Sequence, residues 1–208
     1  YFLPSNSSVL QGTFKFRENI FTLDISHACS GFLYSLGLAD SLMKNKRCKK
    51  ILLINSDTYS KMINPNDRST KLLFSDAAAL TVVDSSSNNL IDINFSNSGK
   101  HYEKLIYKYK GFNKYSNKAS NKHLKMDGMG IMSFINSKLP QQINSILKKN
   151  KLKLSDVNYF FFHQASKLAI DNLVKLLNIP KNKVIYDLEH GNTVSASIPI
   201  ALKKTQKK

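Results

Sequence analysis

The amino-acid sequence predicts an α/β protein, and three observations lead to that prediction. Short apolar runs of the length of buried β-strands recur along the 208 residues. Longer segments with apolar residues at helical spacing lie between these runs. Clusters rich in asparagine, serine and proline separate many of them, as turns do. Because strands that alternate with helices form βαβ units, we expect a sheet that is at least partly parallel.

The elements follow in a regular order. Strands are predicted over 20–25, 51–54, 77–83, 90–95, 157–162 and 184–188, and helices over 30–46, 131–149, 167–177 and 193–203. In the first helix, Phe32, Leu36 and Ala39 fall on one face, and Lys44 places positive charge at its carboxyl end, where the helix dipole favours it.

Two polar stretches divide the chain. The serine- and asparagine-rich break at 85–89 is the predicted boundary between an N-terminal half (1–84) and a C-terminal half (90–208). Residues 96–125 are rich in lysine, asparagine, serine and tyrosine and show no clean period. They are predicted to form a long excursion loop or lid, since loops of that length in compact domains are often functional, and a disordered segment is the alternative.

Composition and charge exclude several classes of protein. The chain has 31 Lys+Arg against 14 Asp+Glu, a net charge of +17, yet only three of these basic residues are arginine. The lysines are scattered and form no stripe interleaved with aromatics, so we expect a solvated surface and no nucleic-acid partner. An acidic protein or a phosphorylated ligand would still be attracted. No apolar run approaches about 20 residues, so no membrane insertion is expected.

The cysteines and histidines form no recognisable metal motif. Cys29 and Cys48 are the two cysteines, too few for a disulfide framework, and the chain has neither C-x-x-C nor H-E-x-x-H. We therefore expect no metal and a reducing, cytoplasmic setting.

Three polar residues lie at predicted junctions between a strand and a helix. Cys29, in His-Ala-Cys-Ser-Gly-Phe, precedes the first helix, whose dipole would stabilise a thiolate; by itself it also fits a buried structural cysteine. His163 follows a strongly apolar strand, and Asn192 lies in Glu-His-Gly-Asn-Thr. Each of these two alone fits a core histidine or a turn residue. Together, the three can meet at one end of an α/β sheet.

Five segments carry a resemblance to a known family. They are HACSGF, NPNDR, FSDAAA, FFHQASK and HGNTVSASIPIAL. In order and spacing, over essentially the whole chain, they resemble the β-ketoacyl-acyl-carrier-protein synthase III family of thiolase-fold condensing enzymes. The resemblance implies a thiolase-like fold of two related βαβ-rich halves and a homodimer. It also implies that the opening βαβ unit and the closing strands of that fold lie outside this chain, so we expect the piece alone to be poorly stable and weakly active.

The resemblance implies a role for each of the three residues. Cys29 corresponds to the nucleophile that is acylated. His163 and Asn192 correspond to the pair that binds the thioester oxygen of a malonyl group and stabilises the enolate formed on decarboxylation, as neutral N–H donors can do. The reaction is a decarboxylative Claisen condensation that gives a 3-oxoacyl product for fatty-acid, related lipid or surface-glycan acyl biosynthesis. Acyl-coenzyme A and acyl-carrier protein are the implied thioester partners, and no cofactor is required.

Four further residues correspond to substrate-binding positions of the family. Arg68 matches a contact of the coenzyme A nucleotide, Phe74 a wall of the acyl pocket, and Gly128 a glycine beside the pantetheine tunnel. A surface arginine, a core phenylalanine and a turn glycine are the structural alternatives. Ser166 stands where fatty-acid-initiating members carry an asparagine that contacts the pantetheine arm, so the acyl donor stays open.

Met129 and Ser133 also depart from the residue types expected near the carrier-protein mouth.

Other residues near these motifs are predicted to have structural roles. The segment 75–77 is predicted to support the site from beneath. The remaining cysteine and histidines are predicted to support loops or lie at the surface, and they are Cys48, His27, His101, His123 and His190.

Three alternatives stay open. A related enzyme could move the acyl group from Cys29 to a hydroxyl, amine or thiol without condensation. A biosynthetic thiolase is less favoured, because its second reactive cysteine lies late in the chain and Cys48 does not. An inactive remnant or a basic binding module would show no selective reactivity at Cys29, and its polyanion binding would weaken as salt rises.

Overall fold

The computed structural model describes residues 3–87, 90–108 and 123–206. The helices are α1 (Asn6–Thr13), α2 (Gly31–Lys44), α3 (Arg68–Lys71), α4 (Gly128–Lys149), α5 (Lys167–Leu176) and α6 (Ser197–Thr205). The strands are β1 (Lys50–Asp57), β2 (Ala77–Asp84), β3 (Leu105–Ile106) and β4 (Lys125–Met126). Within the described ranges no helix is both long enough and apolar enough to cross a membrane.

The predicted helices are confirmed, with small changes at their ends. The segment predicted as 30–46 is α2, and that predicted as 131–149 is α4, which begins earlier because Asp127 caps it by accepting the N–H of Gly130 at 2.8 Å. The segment predicted as 193–203 begins as a helix only at Ser197, because a 3₁₀ turn over Val194–Ala196 precedes it.

The strand predictions are only partly right. β1 and β2 form an antiparallel pair, in register from Lys50 opposite Asp84 to Asp57 opposite Ala77, and β3 pairs with β4 in the same sense. The segments 20–25 and 90–95 are not strands. The segments 157–162 and 184–188 meet only at a parallel bridge between Phe160 and Val184.

The expected partly parallel sheet is borne out only in part, because the strand ladders are antiparallel and the parallel pairs are isolated bridges. Among the described residues, parallel pairing is confined to that bridge and to one between Phe74 and Asn192. An apolar, extended segment becomes a strand only when a neighbouring backbone completes a hydrogen-bond ladder, and these segments make too few such bonds. β-propensity along the sequence cannot supply that partner.

Two apolar clusters hold the described parts together. One, in the C-terminal half, packs α5 against residues of the bridged segments, and its buried members are Phe160, Ile170, Leu173, Val174, Leu177, Ile179 and Val184. The other joins Phe32 and Ala39 of α2 to Leu53 of β1 and Ile198 of α6. Since Ile198 belongs to the predicted C-terminal half, this cluster connects the two halves, whose boundary stays a prediction.

Candidate active site

Cys29 lies immediately before α2, in a 3₁₀ turn over Ala28–Ser30. Ala28 has a φ of 44°, a left-handed conformation that is uncommon for a residue with a side chain. The N–H of Ser30 donates to the carbonyl of His27 at 3.0 Å and closes the turn. This strained turn places Cys29 against a third apolar cluster, whose buried members are Phe74, Leu124 and Val194.

The surroundings of Cys29 favour its neutral thiol form. Burial raises the pKa of the thiol to about 12, and the negative charge of Asp57 adds to the increase. Both effects oppose the stabilisation of a thiolate that was expected from the helix end, and that expectation stays a prediction. Cys29 is a neutral thiol at neutral pH.

Asn192 is buried and held in a tight backbone arrangement. Its N–H donates to the carbonyl of Leu73 at 2.9 Å, and its carbonyl accepts from the N–H of Ser75 at 3.0 Å. Gly191 before it has a φ of 65°, and a Cβ there would lie 3.2 Å from the Leu73 carbonyl. Only glycine meets both demands easily.

The side chain of Asn192 has a defined orientation. Its Oδ1 accepts the N–H of Val194 at 3.0 Å. A backbone N–H can only donate, so this contact assigns the oxygen and leaves the side-chain nitrogen as a donor for a ligand. Asn192 is therefore also the turn residue that the sequence allowed as an alternative, and the turn contact with Val194 orients its amide.

His163 is neutral for a simple physical reason. Burial lowers its pKa to about 4. Its Nδ1 lies 2.6 Å from the hydroxyl oxygen of Ser197, which is 2% exposed. His163 is therefore an uncharged imidazole tied to the first residue of α6.

One segment, 192–197, gathers these three residues. Asn192 begins it and Ser197, the partner of His163, ends it. Val194 is fully buried in the same apolar cluster as Cys29. Ser195 lies close to the start of α2, two residues after Cys29. A Cβ built on Gly31 would lie 3.3 Å from the Cβ of Ser195. The structure thus brings together residues that lie far apart in the sequence.

The sequence reasoning missed three residues of this site. Asp57 ends β1 and accepts from the N–H and the hydroxyl of Ser195 at 3.1 and 2.5 Å. The Tyr59 ring centroid lies 5.2 Å from that of Phe74. Burial raises the pKa of Tyr59 to about 12, with Cys29 and Asp57 adding to it. Ser197 falls inside the HGNTVSASIPIAL motif, which was the available signal for it.

Phe74 and Arg68 lie in different surroundings. Phe74 is buried in the cluster that contacts Cys29, as a pocket wall would be. Arg68 is exposed and begins α3, whose N-cap is Asp67. Its assignment to the nucleotide stays a prediction.

Gly128 and Ser166 begin or cap helices. A Cβ on Gly128 would meet only the Met126 methyl, at 3.9 Å, whereas a Cβ on Gly130 would overlap the Asp127 carboxylate and the Lys104 ammonium. Gly130 is therefore the more crowded of these two positions. Ser166 caps α5 by accepting the N–H of Ala169 at 3.2 Å, a structural role that the sequence reasoning did not assign.

The supporting residues make specific contacts. Asp76 accepts from the N–H of Ser60 at 2.8 Å, and Ser75 donates to the carbonyl of His190. The His27 ring stacks on Tyr34 with centroids 3.9 Å apart. These contacts tie the loops around the site to one another.

A cavity of about 550 Å³ adjoins the cluster around Cys29. It shares Leu124 and Met126 with that cluster, and Asp67 and Asp127 place the beginnings of α3 and α4 beside it. Its lining residues are Asn64, Asp67, Glu103, His123, Leu124, Lys125, Met126 and Asp127. The predicted lid over 96–125 contributes some of these residues, and its part over 109–122 lies outside the described residues.

One group of side chains has the composition of a metal site. Potential ligand atoms of Asp187, Glu189 and His190 lie within 4.8 Å of one another. The Lys204 ammonium lies 3.2 Å from Asp187 and 3.0 Å from Glu189, so a cation already balances these carboxylates.

Comparison with known proteins assigns the family. The model of 3-oxoacyl-[acyl-carrier-protein (ACP)] synthase III matches residues 23–99, and the model of its C-terminal part matches 147–208. The chain belongs to the 3-oxoacyl-[acyl-carrier-protein] synthase III family. The two matches contain Cys29 on one side and His163 and Asn192 on the other.

The relatives show how much of the family's length is present. The Clostridium tetani β-ketoacyl-[acyl-carrier-protein] synthase III is 33% identical, over all of this chain and 66% of the relative. The Rickettsia rickettsii (strain Sheila Smith) protein of the same name is 37% identical, over 96% of this chain and 62% of the relative. The chain spans about two thirds of the length of these curated relatives.

Solved structures confirm the thiolase-like fold. A 3-oxoacyl-(acyl-carrier-protein) synthase III matches all of the chain with a TM-score of 0.93 and 30% identity, covering 66% of that structure. The synthase from Burkholderia xenovorans matches 98% of the chain with a TM-score of 0.87 and 31% identity, covering 61% of it.

Proposed function

We propose that this chain carries the catalytic residues of a decarboxylative condensing enzyme that joins an acyl thioester to malonyl-acyl-carrier protein. One observation carries the proposal. The buried segment 192–197 contains the amide donor Asn192, contacts His163 through Ser197 and lies against Cys29 through Val194, in a chain of this family. A nucleophile and an oxyanion site are the two parts that acyl transfer with condensation needs.

In the first half-reaction, the Cys29 sulfur attacks the acyl carbonyl and the bond to the coenzyme A sulfur breaks. Because Cys29 rests as a thiol with a pKa of about 12, its proton leaves during the attack. The departing thiolate accepts that proton, so the products are acyl-Cys29 and free coenzyme A. A resting thiol also protects the enzyme from oxidation between turnovers.

In the second half-reaction, the malonyl carbon–carbon bond breaks and carbon dioxide leaves. The electron pair moves into an enolate whose oxygen accepts hydrogen bonds from His163 and Asn192. A neutral imidazole N–H and an amide N–H stabilise this charge without transferring a proton. The enolate carbon attacks the acyl carbonyl, the bond to the Cys29 sulfur breaks, and the thiolate that leaves takes up a proton from solvent to restore the thiol.

The surroundings support assignments for substrate groups. We propose that the acyl group contacts Phe74 and Tyr59, since both belong to the cluster against Cys29. The adjoining cavity has a suitable volume for a thioester arm, and Gly128 follows Asp127, one of its lining residues, in the sequence. Arg68 and Ser166 are proposed contacts of the nucleotide and of the arm. The net charge of +17 favours an acidic carrier protein. A homodimer and a cytoplasmic location stay predictions.

Acyl transfer to a hydroxyl, amine or thiol without condensation is the second candidate. The arrangement of His163 and Asn192 favours condensation, since a plain transfer needs no site for an enolate. Release of carbon dioxide from malonyl-acyl-carrier protein separates the two reactions.

The test combines a mass measurement with a gas measurement. The chain, and in parallel its longer reading frame, is mixed with a series of acyl-coenzyme A thioesters and examined by intact mass and peptide mapping. We expect an acyl adduct at Cys29 that Cys29→Ala abolishes and Cys48→Ser retains. Carbon dioxide is then measured after malonyl-acyl-carrier protein is added. An adduct without carbon dioxide supports plain acyl transfer, and no adduct with any donor contradicts the coenzyme-A-primed reaction.

A further inference from the structure

The hydroxyl of Ser197 contacts two groups from one neighbouring segment. Its oxygen lies 2.6 Å from Nδ1 of His163 and 3.4 Å from the backbone nitrogen of Gln164. Both Ser197 and Gln164 are buried, with 2% and 3% of their surfaces exposed. Water therefore has little access to these bonds, and the protein groups decide where each proton lies.

The direction of these hydrogen bonds follows from what each group can do. The Gln164 N–H can only donate, so the Ser197 oxygen accepts from it. That contact leaves the hydroxyl proton of Ser197 available, and a buried hydroxyl donates its proton where an acceptor is within reach. Within the part of the chain that the structure describes, Nδ1 of His163 is the acceptor in contact with it. Nδ1 consequently carries a lone pair, and in a neutral imidazole the proton lies on Nε2.

Gln164 is fixed so that its N–H stays aimed at Ser197. Its side-chain nitrogen donates to the carbonyls of Phe162 at 2.7 Å and Ile185 at 3.2 Å. Its side-chain oxygen accepts the N–H of Asp187 at 2.8 Å. The glutamine thus fastens two extended segments together, and its backbone cannot turn away without breaking these three hydrogen bonds.

We propose that Ser197 is a positioning residue that holds His163 as the Nε2–H tautomer, so that Nε2 is an N–H donor. Its catalytic consequence rests on the proposed function: the enolate oxygen needs a donor, and the opposite tautomer would present a lone pair to it. Ser197 occupies Nδ1 of the His163 imidazole, just as the Val194 N–H occupies Oδ1 of the Asn192 amide. In both cases a buried bond behind the ring or amide selects which atom faces a ligand.

The tautomer can be measured without any activity. The protein has five histidines, so ¹⁵N-histidine NMR gives few signals, and the His163→Gln spectrum identifies the one that is lost. In the unsubstituted protein we expect a protonated Nε2 and an unprotonated Nδ1 at His163. Ser197→Thr, which keeps a hydroxyl, should retain this pattern, whereas Ser197→Ala should populate the Nδ1–H tautomer. A protonated Nδ1 in the unsubstituted protein would overturn the proposal, even if the alanine variant does not fold.

Ser195 supplies the matched control. It is a buried serine of the same segment whose hydroxyl donates to Asp57. Ser195→Ala should leave the His163 tautomer unchanged. If it disturbs the His163 signals as much as Ser197→Ala does, the effect is general loosening of the segment and the assignment of Ser197 is wrong.

Activity in the longer reading frame tests the consequence separately. Ser197→Ala should slow carbon dioxide release about tenfold, less than complete loss of an oxyanion donor would. Its acylation at Cys29 should be unchanged, and Ser197→Thr should recover the rate. The expected tautomer in a protein that never releases carbon dioxide would count against the proposed function and leave the role of Ser197 in place. Carbon dioxide release by a protein whose His163 carries the proton on Nδ1 would contradict the positioning role of Ser197 and leave the proposed function in place.

Discussion

The two sides of the site are built differently. On the donor side, a buried hydrogen bond occupies Oδ1 of Asn192 and another occupies Nδ1 of His163, and both side chains are held in a form that can donate. On the nucleophile side, Cys29 lies against apolar residues and near the carboxylate of Asp57, which holds it as a thiol. If these residues act as proposed, the two donors are preorganised in their reactive form, whereas the nucleophile is held in its unreactive form. An enzyme built this way spends little energy on reorganising the donors when the enolate forms.

Removing a donor should have the largest effect and should separate the two sides. We expect His163→Ala or Asn192→Ala to slow carbon dioxide release by about 10²–10³-fold, the effect of losing one oxyanion donor. Acylation of Cys29 should be retained, because that step does not use the enolate site. Carbon dioxide release and acyl-adduct mass are measured in the same samples, with exposed His190→Ala as the control. Equal loss of both steps would show that the two sides are not independent.

The pH dependence of stability should reveal the buried neutral imidazole. The pKa of His163 falls from 6.5 to about 4 on folding, so the unfolded chain binds a proton that the folded chain does not. This contribution to the free energy of unfolding is present above about pH 6.5 and is lost as the pH falls toward 4, by at most about 3 kcal/mol. Urea unfolding across this range measures it. His163→Gln should flatten the slope, and an unchanged slope in that variant would contradict the burial argument.

Removing the charge of Asp57 should make the nucleophile side more reactive. Asp57→Asn keeps a side chain able to bond Ser195 but removes the carboxylate that raises the pKa of Cys29. We expect the rate of alkylation by iodoacetamide at a fixed pH to rise, by about tenfold for each unit by which the pKa falls. The measurement uses a Cys48→Ser background so that the signal comes from Cys29. Tyr59 is the other titratable side chain beside the thiol, and Tyr59→Phe tests whether it contributes. An unchanged rate in Asp57→Asn would assign the raised pKa to burial alone.

The smallest expected effect concerns the acyl group. Tyr59→Leu removes a ring that packs on Phe74, so an acyl group one methylene longer should gain room beside Cys29. A buried methylene contributes about 0.8 kcal/mol, which predicts an approximately fourfold shift toward the longer acyl donor. Competition between two acyl-coenzyme A donors, read as adduct masses, measures the shift. Exposed Tyr102→Leu is the control, and no shift in Tyr59→Leu would place the acyl group elsewhere.

Helices could be predicted from the sequence far better than strands could. α2 is set by its own apolar face and terminal charge, and α4 by its apolar period together with the Asp127 cap, all of which are local signals. The segments 20–25 and 90–95 have strand-like composition but no strand partner. Parallel pairing was expected from the alternation of elements, yet the ladder of β1 and β2 is antiparallel. A strand depends on a second segment far away in the sequence, so its own residues cannot decide it.

The site shows the same division between local and distant causes. The sequence by itself determined which residues stand at the junctions: Cys29 before α2, His163 after an apolar run, and Asn192 behind a glycine. Only the tertiary structure decided their chemical states. Asp57 and Ser195, 138 residues apart, meet beside the thiol, and Ser197, 34 residues after His163, selects the imidazole nitrogen that carries the proton. Protonation and tautomer depend on burial and on neighbours delivered by folding, and neither is encoded in a residue's immediate sequence.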